Sequence, residues 1–202
     1  MEKETGRLEA FSDGVFAIAM TLLALELKVP HPGPGGSLAA GLGAQWPGYF
    51  AFVTSFFTVL IMWVHHHIIF RLVRRVDTRL LFANGVLLML VTVVPFPTAV
   101  VAEYLTTEEA PAACAFYCGV FVLIGIAFYV LLMAAFQRQL LDPGASEAQV
   151  RRLRKNYGFG PPLYLLAAIA APFSPWAAMG ICTALWIFWA AMTRNCDAEG
   201  GR

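Results

Sequence analysis

The stretch from Arg7 to Pro30, RLEAFSDGVFAIAMTLLALELKVP, sets the first constraint on this chain. After its opening residues it is an almost unbroken apolar run. Crossing a hydrocarbon core of about 30 Å takes a helix of about 20 predominantly apolar residues, and this run is long enough. It nevertheless carries an acid, Asp13, inside its first turns, directly after Phe11 and Ser12. A carboxylate at that depth is expensive unless another group pairs with it or uses it. Other segments are therefore expected to bring polar partners to the same level.

Composition extends the argument to the whole chain. Of 202 residues, 59% are hydrophobic and only 13% are charged, where a soluble domain carries about 25% charged residues. The chain reads as an all-α integral membrane protein. Six apolar segments can be marked, at about 10–29, 47–71, 79–102, 112–137, 157–172 and 175–193, within a single transmembrane domain spanning 1–202. The alternation of a β-barrel strand is absent. The loop HPGPGGS after the first segment is too rich in Pro and Gly to be helical. The last two segments are short, with Pro172 and Pro175 bracketing a tight turn, and form a hairpin that just spans. The N-terminus does not read as a signal peptide, because Asp13 interrupts the apolar run, so the first helix is expected to be retained. A net charge of +1 gives no reason to expect a nucleic-acid partner.

Basic residues orient the chain. Arg71, Arg74, Arg75 and Arg79 lie between segments 2 and 3; Arg138, Arg151, Arg152, Arg154 and Lys155 lie between segments 4 and 5. With Lys3, Arg7, Arg194 and Arg202 at the termini, six spans put all of these on one side and only Lys28 on the other. The positive-inside rule then places both termini in the cytoplasm. The loop with Glu103, Glu108 and Glu109 carries no base and fits the outer side. Residues 143–156 are polar and basic, and are expected to form a short interfacial helix with Ser146 as N-cap.

On this topology Ser12 and Asp13, the run His65, His66 and His67, and Asn84 fall at one depth near the cytoplasmic face. Such groups can satisfy one another inside a membrane. Trp63, one turn from His67, offers an indole N–H as a donor. Arg7 lies about 240° round the helix from Asp13, so a pairing between them would have to cross between helices or subunits. The cluster reads as a polar clasp that fixes packing, or as a gate or proton-sensing element. A catalytic metal site is disfavoured, because consecutive histidines point about 100° apart. The cysteines Cys114, Cys118, Cys182 and Cys196 form no CxxC unit and read as small buried side chains. No metal or cofactor is called for.

Arg7, Phe11, Ser12 and Asp13, followed by GVFAIAMTLLALEL, resemble the first-helix signature of the transmembrane protein 175 family of potassium-permeable channels. The stretches MWVHHHIIF, with Trp63, His66, His67 and Phe70, and NGVLLMLVTVVPFPT, from Asn84, are similar to the same family. Segments 4–6 match only by count and spacing. The resemblance implies a homotetramer of six-span subunits in a prokaryotic cell membrane, with four copies of the first helix lining a potassium pore. It also implies an apolar constriction at Ile18, Leu22 and Leu25, with Thr21 as a nearby hydroxyl. From the residues alone Ile18, Leu22 and Leu25 are one helical stripe among several, and Ala19 and Leu23 form another. Glu26, beyond Leu22, reads either as a cation-concentrating group at the pore mouth or as an interfacial acid beside Lys28. No carbonyl filter sequence is present, so an apolar ring would act by narrowing and dewetting. The alternatives are a secondary transporter, which the apolar midplane of every segment argues against, and a structural membrane subunit. An enzyme would need a nucleophile, base or metal constellation that the chain does not assemble.

Overall fold

A computed structural model of the chain describes residues 5–31, 33, 35–137 and 139–197. Lys3, Arg138 and Arg202, used above for orientation, lie outside the described residues, as do the side chains of Arg194 and Cys196. The described residues form the helices α1 (Gly6–Leu25), α2 (Leu38–Ala44), α3 (Trp46–Arg71), α4 (Thr78–Val93) and α5 (Pro95–Tyr104). They continue with α6 (Ala110–Ala135), α7 (Glu147–Gly158), α8 (Gly160–Ala170) and α9 (Pro175–Asp197). Among the described residues, five helical segments are long and apolar enough to cross a membrane: α1, α3, α4 with α5, α6, and Pro175–Met192 of α9. The protein is thus an all-α multi-pass membrane protein. The expected fifth span at 157–172 is α8, whose 11 residues are too few to count alone.

Local sequence explains where the elements bend and start. Segment 3 divides at Val94 because Pro95 has no N–H and its ring crowds the carbonyl four residues back. That carbonyl, on Val91, instead accepts the Val94 amide at 3.2 Å. Asp77 caps α4 by accepting the Leu80 amide, and Ser146 caps α7 by accepting that of Ala148. Helix α2 was not anticipated; Ser37 caps it through the Ala40 amide.

Helix α6 runs through the middle, packing against α4, α5, α8 and α9, while α1 packs on α3 and α4. Tyr117, Phe121, Ile124, Leu131 and Leu132 of α6 are fully buried. The expectation of an apolar midplane in every segment needs correction. Ser55 on α3 lies 2.7 Å from Thr98 Oγ1 on α5 and 3.0 Å from the Tyr117 hydroxyl on α6, all buried. Hydroxyls can be buried in the membrane interior because they bond one another and nearby carbonyls. Cys118 and Cys182, both free thiols, meet at 3.5 Å between α6 and α9, and Cys114 is also buried and free. On the outside Phe82, Met89, Leu123, Ile126, Ile169 and Phe188 are exposed. In water that much apolar surface would be a liability; in a bilayer it is the solvated surface.

At one crossing a side chain has no room. A Cβ on Gly125 of α6 would lie 3.3 Å from the Pro161 nitrogen and 3.4 Å from its Cα, both backbone atoms of α8. Gly119 on the same helix faces nothing within 4 Å. Gly125→Val is expected to destabilise the protein by about 1–3 kcal/mol through overpacking, seen as a lowered melting temperature in detergent. Gly119→Ala should leave the melting temperature unchanged or slightly raised.

Candidate functional site

Helix α1 touches the rest of the protomer along a single seam. Ser12, Phe16, Ala19 and Leu23 are buried, at the i, i+4, i+7, i+11 spacing of one face. Ile18, Leu22 and Leu25 are 58%, 39% and 75% exposed. At 100° per residue the two stripes lie roughly 120° apart. The choice the sequence left open is therefore decided within one protomer: Ala19 and Leu23 pack inward, while Ile18, Leu22 and Leu25 point away. Thr21, also exposed, donates its hydroxyl proton to the Ile18 carbonyl at 2.8 Å. Its oxygen lone pairs remain free to accept.

The seam ends in a chain of hydrogen bonds. Asn84 on α4 donates through Nδ2 to Ser12 Oγ at 3.0 Å, and Ser12 donates to the Leu8 carbonyl at 2.8 Å. The Asn84 carbonyl oxygen accepts from His66 Nε2 on α3 at 2.8 Å. All three side chains are buried. Phe16 meets His66 edge-on, and Phe70 stacks on its other side. Asp13 is held differently. It is exposed on the protomer and accepts the Trp63 indole N–H at 2.8 Å, while His67, also exposed, stacks against Trp63. Arg7 and Phe11 are exposed, and Arg7 reaches neither Asp13 nor the buried chain. Glu26 caps the C-terminal end of α1, roughly 80° round from Ile18. Lys28 turns instead to Glu103, at 3.4 Å.

Sequence reasoning missed a second use of the histidine run. His65 faces away from α1. Its Nε2 donates to the Trp189 carbonyl of α9 at 3.3 Å, which leaves Nδ1 to accept from the Tyr157 hydroxyl of α7 at 2.6 Å. Beside it a cavity of about 50 Å³ opens between α3, α6, α8 and α9. Trp186, one of its walls, holds its indole nitrogen buried without a protein partner. The turn of about 100° between neighbouring residues is the signal that His65 and His66 serve different sides. Which neighbour each meets is set by tertiary packing. Among the described residues no group of three or more His, Cys, Asp or Glu side chains gathers as a metal site.

Comparison with known proteins identifies relatives of the chain. Residues 7–95, which hold the whole α1–α3–α4 hydrogen-bond chain, match the family described as Endosomal/lysosomal potassium channel TMEM175. A potassium channel of Chamaesiphon minutus is 49% identical over 192 residues, covering 94% of this chain and 95% of that one. One from Streptomyces collinus is 49% identical over 178 residues, covering 85% and 86%. The crystal structure of a lysosomal potassium-selective channel TMEM175 homolog from Chamaesiphon minutus superposes with a TM-score of 0.84 at 47% identity, covering 94% and 97%.

The buried chain makes a quantitative prediction. Ser12→Ala strands the Asn84 amide and Asn84→Ala strands His66, so each should cost about 1–3 kcal/mol. The double variant should cost clearly less than the sum, because both remove the same bond. Thermal unfolding of the two single variants and the double variant in detergent checks this; strict additivity would mean the bond is not made.

Proposed function

The chain belongs to the TMEM175 family, and on that premise we propose that it is a potassium-permeable channel of a prokaryotic cell membrane. In this reading it is a homotetramer of six-span subunits, each a single channel domain with both termini cytoplasmic. Helix α1 of each copy lines the shared pore. The observation that carries the reading is the exposed apolar stripe of Ile18, Leu22 and Leu25 on a helix otherwise fixed by a single buried seam. A lone protomer with one copy of α1 encloses no pore. Four copies turned stripe-inward would.

The sixth crossing is supported by what flanks α8. Tyr157, just before it, bonds His65 near one end of α3. Trp176, just after it, stacks on Trp46 at the first residue of α3, with centroids 5.8 Å apart. Those two points on α3 are 19 residues apart, about 28 Å at 1.5 Å per residue. The chain covers that depth between residues 157 and 176. Phe159 keeps a right-handed helical backbone between α7 and α8, so the two read as one bent helix. Leu165, Leu166 and Ile169 expose apolar surface to the surroundings, as a membrane segment does. The α3–α4 and α6–α7 loops are joined by an isolated bridge between Val73 and Leu141, which puts their basic residues on one side. The Lys28–Glu103 pair belongs to the other side.

The mechanism follows from the chemistry of the stripe. Ile and Leu side chains offer an ion no ligands in place of water, so a ring of them resists permeation by excluding water. A more weakly hydrated cation loses less when its shell is partly stripped, which favours potassium over sodium to a modest degree. Thr21, whose oxygen can still accept, places a hydroxyl beside the ring. Ser12, Asn84 and His66 hold α1 at the depth and rotation that aim the stripe. Trp63, Asp13 and His67 flank that anchor, and Arg7 and Phe11 are left at the periphery for contacts beyond the protomer. Glu26 is in reach of the outer mouth but lies off the line of the stripe.

Purified protein in liposomes tests the reading. Potassium efflux down its own gradient, with no co-ion required, is expected. Ile18→Ala and Leu22→Ala should raise that flux severalfold and weaken discrimination against sodium. Flux that needs a co-ion would favour a transporter, and currents unchanged by both substitutions would sink the constriction. Light scattering in detergent should give the mass of four chains.

A further inference from the structure

The cytoplasmic loops are held in a way that ion permeation does not require. The Arg74 and Arg75 amides both donate to the Leu140 carbonyl, at 2.8 and 3.2 Å, and the Asp142 amide donates to the Leu72 carbonyl at 2.9 Å. These bonds fasten the α3–α4 loop to the α6–α7 loop. They hold Arg74 and Arg75 beside the loop that leads into α7, the helix that carries Arg151, Arg154 and Lys155. No ion pair forms at these five or at Arg79 among the described residues. Two nearby acids are occupied by backbone: Asp77 accepts from the Leu80 amide, and Asp142 from the Gly144 amide. Glu147, which has contacts of its own, is the third. Six bases against these three acids leave these loops and α7 with an excess of positive charge.

Its shape narrows the kind of partner. Helix α7 buries Leu153 and Tyr157 against the protein and leaves Arg151, Arg154 and Lys155 exposed. A groove of about 550 Å³ runs beside it. Phe136, Leu141, Pro143 and Val150 give it an apolar floor, and Arg151 and Arg154 line its wall; Asp142 and Glu147 also border it. Guanidinium groups bind phosphate bidentately. A free phosphate would leave the apolar floor unused, whereas a phospholipid would place its glycerol and upper chains there. The groove is formed by the C-cap of the membrane helix α6, the loop after it and α7, and the end of a membrane helix is where headgroups sit.

We propose that this face is a docking surface for anionic phospholipid headgroups of the surrounding membrane, clamped by Arg151 and Arg154. The same helix reaches α3 through the Tyr157–His65 bond, and His65 adjoins His66, which anchors α1. Headgroup binding thereby supports the pore helix; this second step rests on the channel reading, whereas the binding itself does not.

Native mass spectrometry of the purified protein, equilibrated with phosphatidylglycerol or phosphatidylcholine, tests the surface. The parent protein should retain phosphatidylglycerol at least about tenfold better. R151Q/R154Q, eluting at the same assembly size, should lose that preference. Equal retention of the two lipids by the parent overturns the proposal whatever the variant does. So does an undiminished preference in the variant, or displacement of the lipid by millimolar inorganic phosphate, which would mark a soluble-anion site. Potassium flux in liposomes should rise with phosphatidylglycerol content in the parent and not in the variant. Lipid retention without any flux would overturn the channel reading and leave the surface standing. Flux indifferent to lipid with retention intact would overturn only the link through Tyr157.

Discussion

Adjacent histidines on α3, turned about 100° from each other, hold this protein together. His66 reaches through Asn84 to Ser12 and so ties α4 and α1 to α3. His65 reaches Tyr157 and Trp189 and ties α7 and α9 to the same helix. In a membrane, apolar contact between helices has no hydrophobic driving force to favour it over lipid, so directional polar bonds and close packing carry much of the specificity. The neighbouring Ser55–Thr98–Tyr117 cluster does the same for α3, α5 and α6 deeper in the bundle. Helix α3 is the common member of all three.

This division of labour separates structure from permeation. The polar bonds are buried in the protomer, on the seam side of α1. The side chains assigned to the ion path lie on the outward stripe and make no directional bond apart from that of Thr21 to its own helix. An ion path of this kind needs no ligand cage built from the fold. In the reading proposed above it needs only that several apolar stripes be presented at one radius and one depth, which the Ser12–Asn84–His66 chain would supply.

Much of this was legible in the residues. Hydropathy marked α1, α3, α4 with α5, α6 and α9, because long apolar runs have few other uses. The common depth of Ser12, Asp13, the histidines and Asn84 followed from helix direction alone. Other features were not legible. The third span was marked as one segment at 79–102, but its division at Val94, where the Val91 carbonyl takes the Val94 amide, was not. The hydroxyl cluster was missed because Ser and Thr barely disturb a hydropathy profile. That Asp13 takes Trp63 and that Asn84 takes His66 is a matter of rotation between helices, which one sequence does not encode locally. The choice between the Ile18–Leu22 and Ala19–Leu23 stripes has the same origin. The bridge between Val73 and Leu141 joins loops 68 residues apart, and no local pattern announces it.

The narrowness of the α1 seam has a further consequence for biogenesis. A helix gripped along one line by Ser12, Phe16, Ala19 and Leu23 is only partly committed while its subunit is solitary. Most of its girth is then left to lipid. In the tetramer proposed above, sister chains would supply the missing walls, so the last stage of maturation would be shared among them and would depend on their abundance in the bilayer.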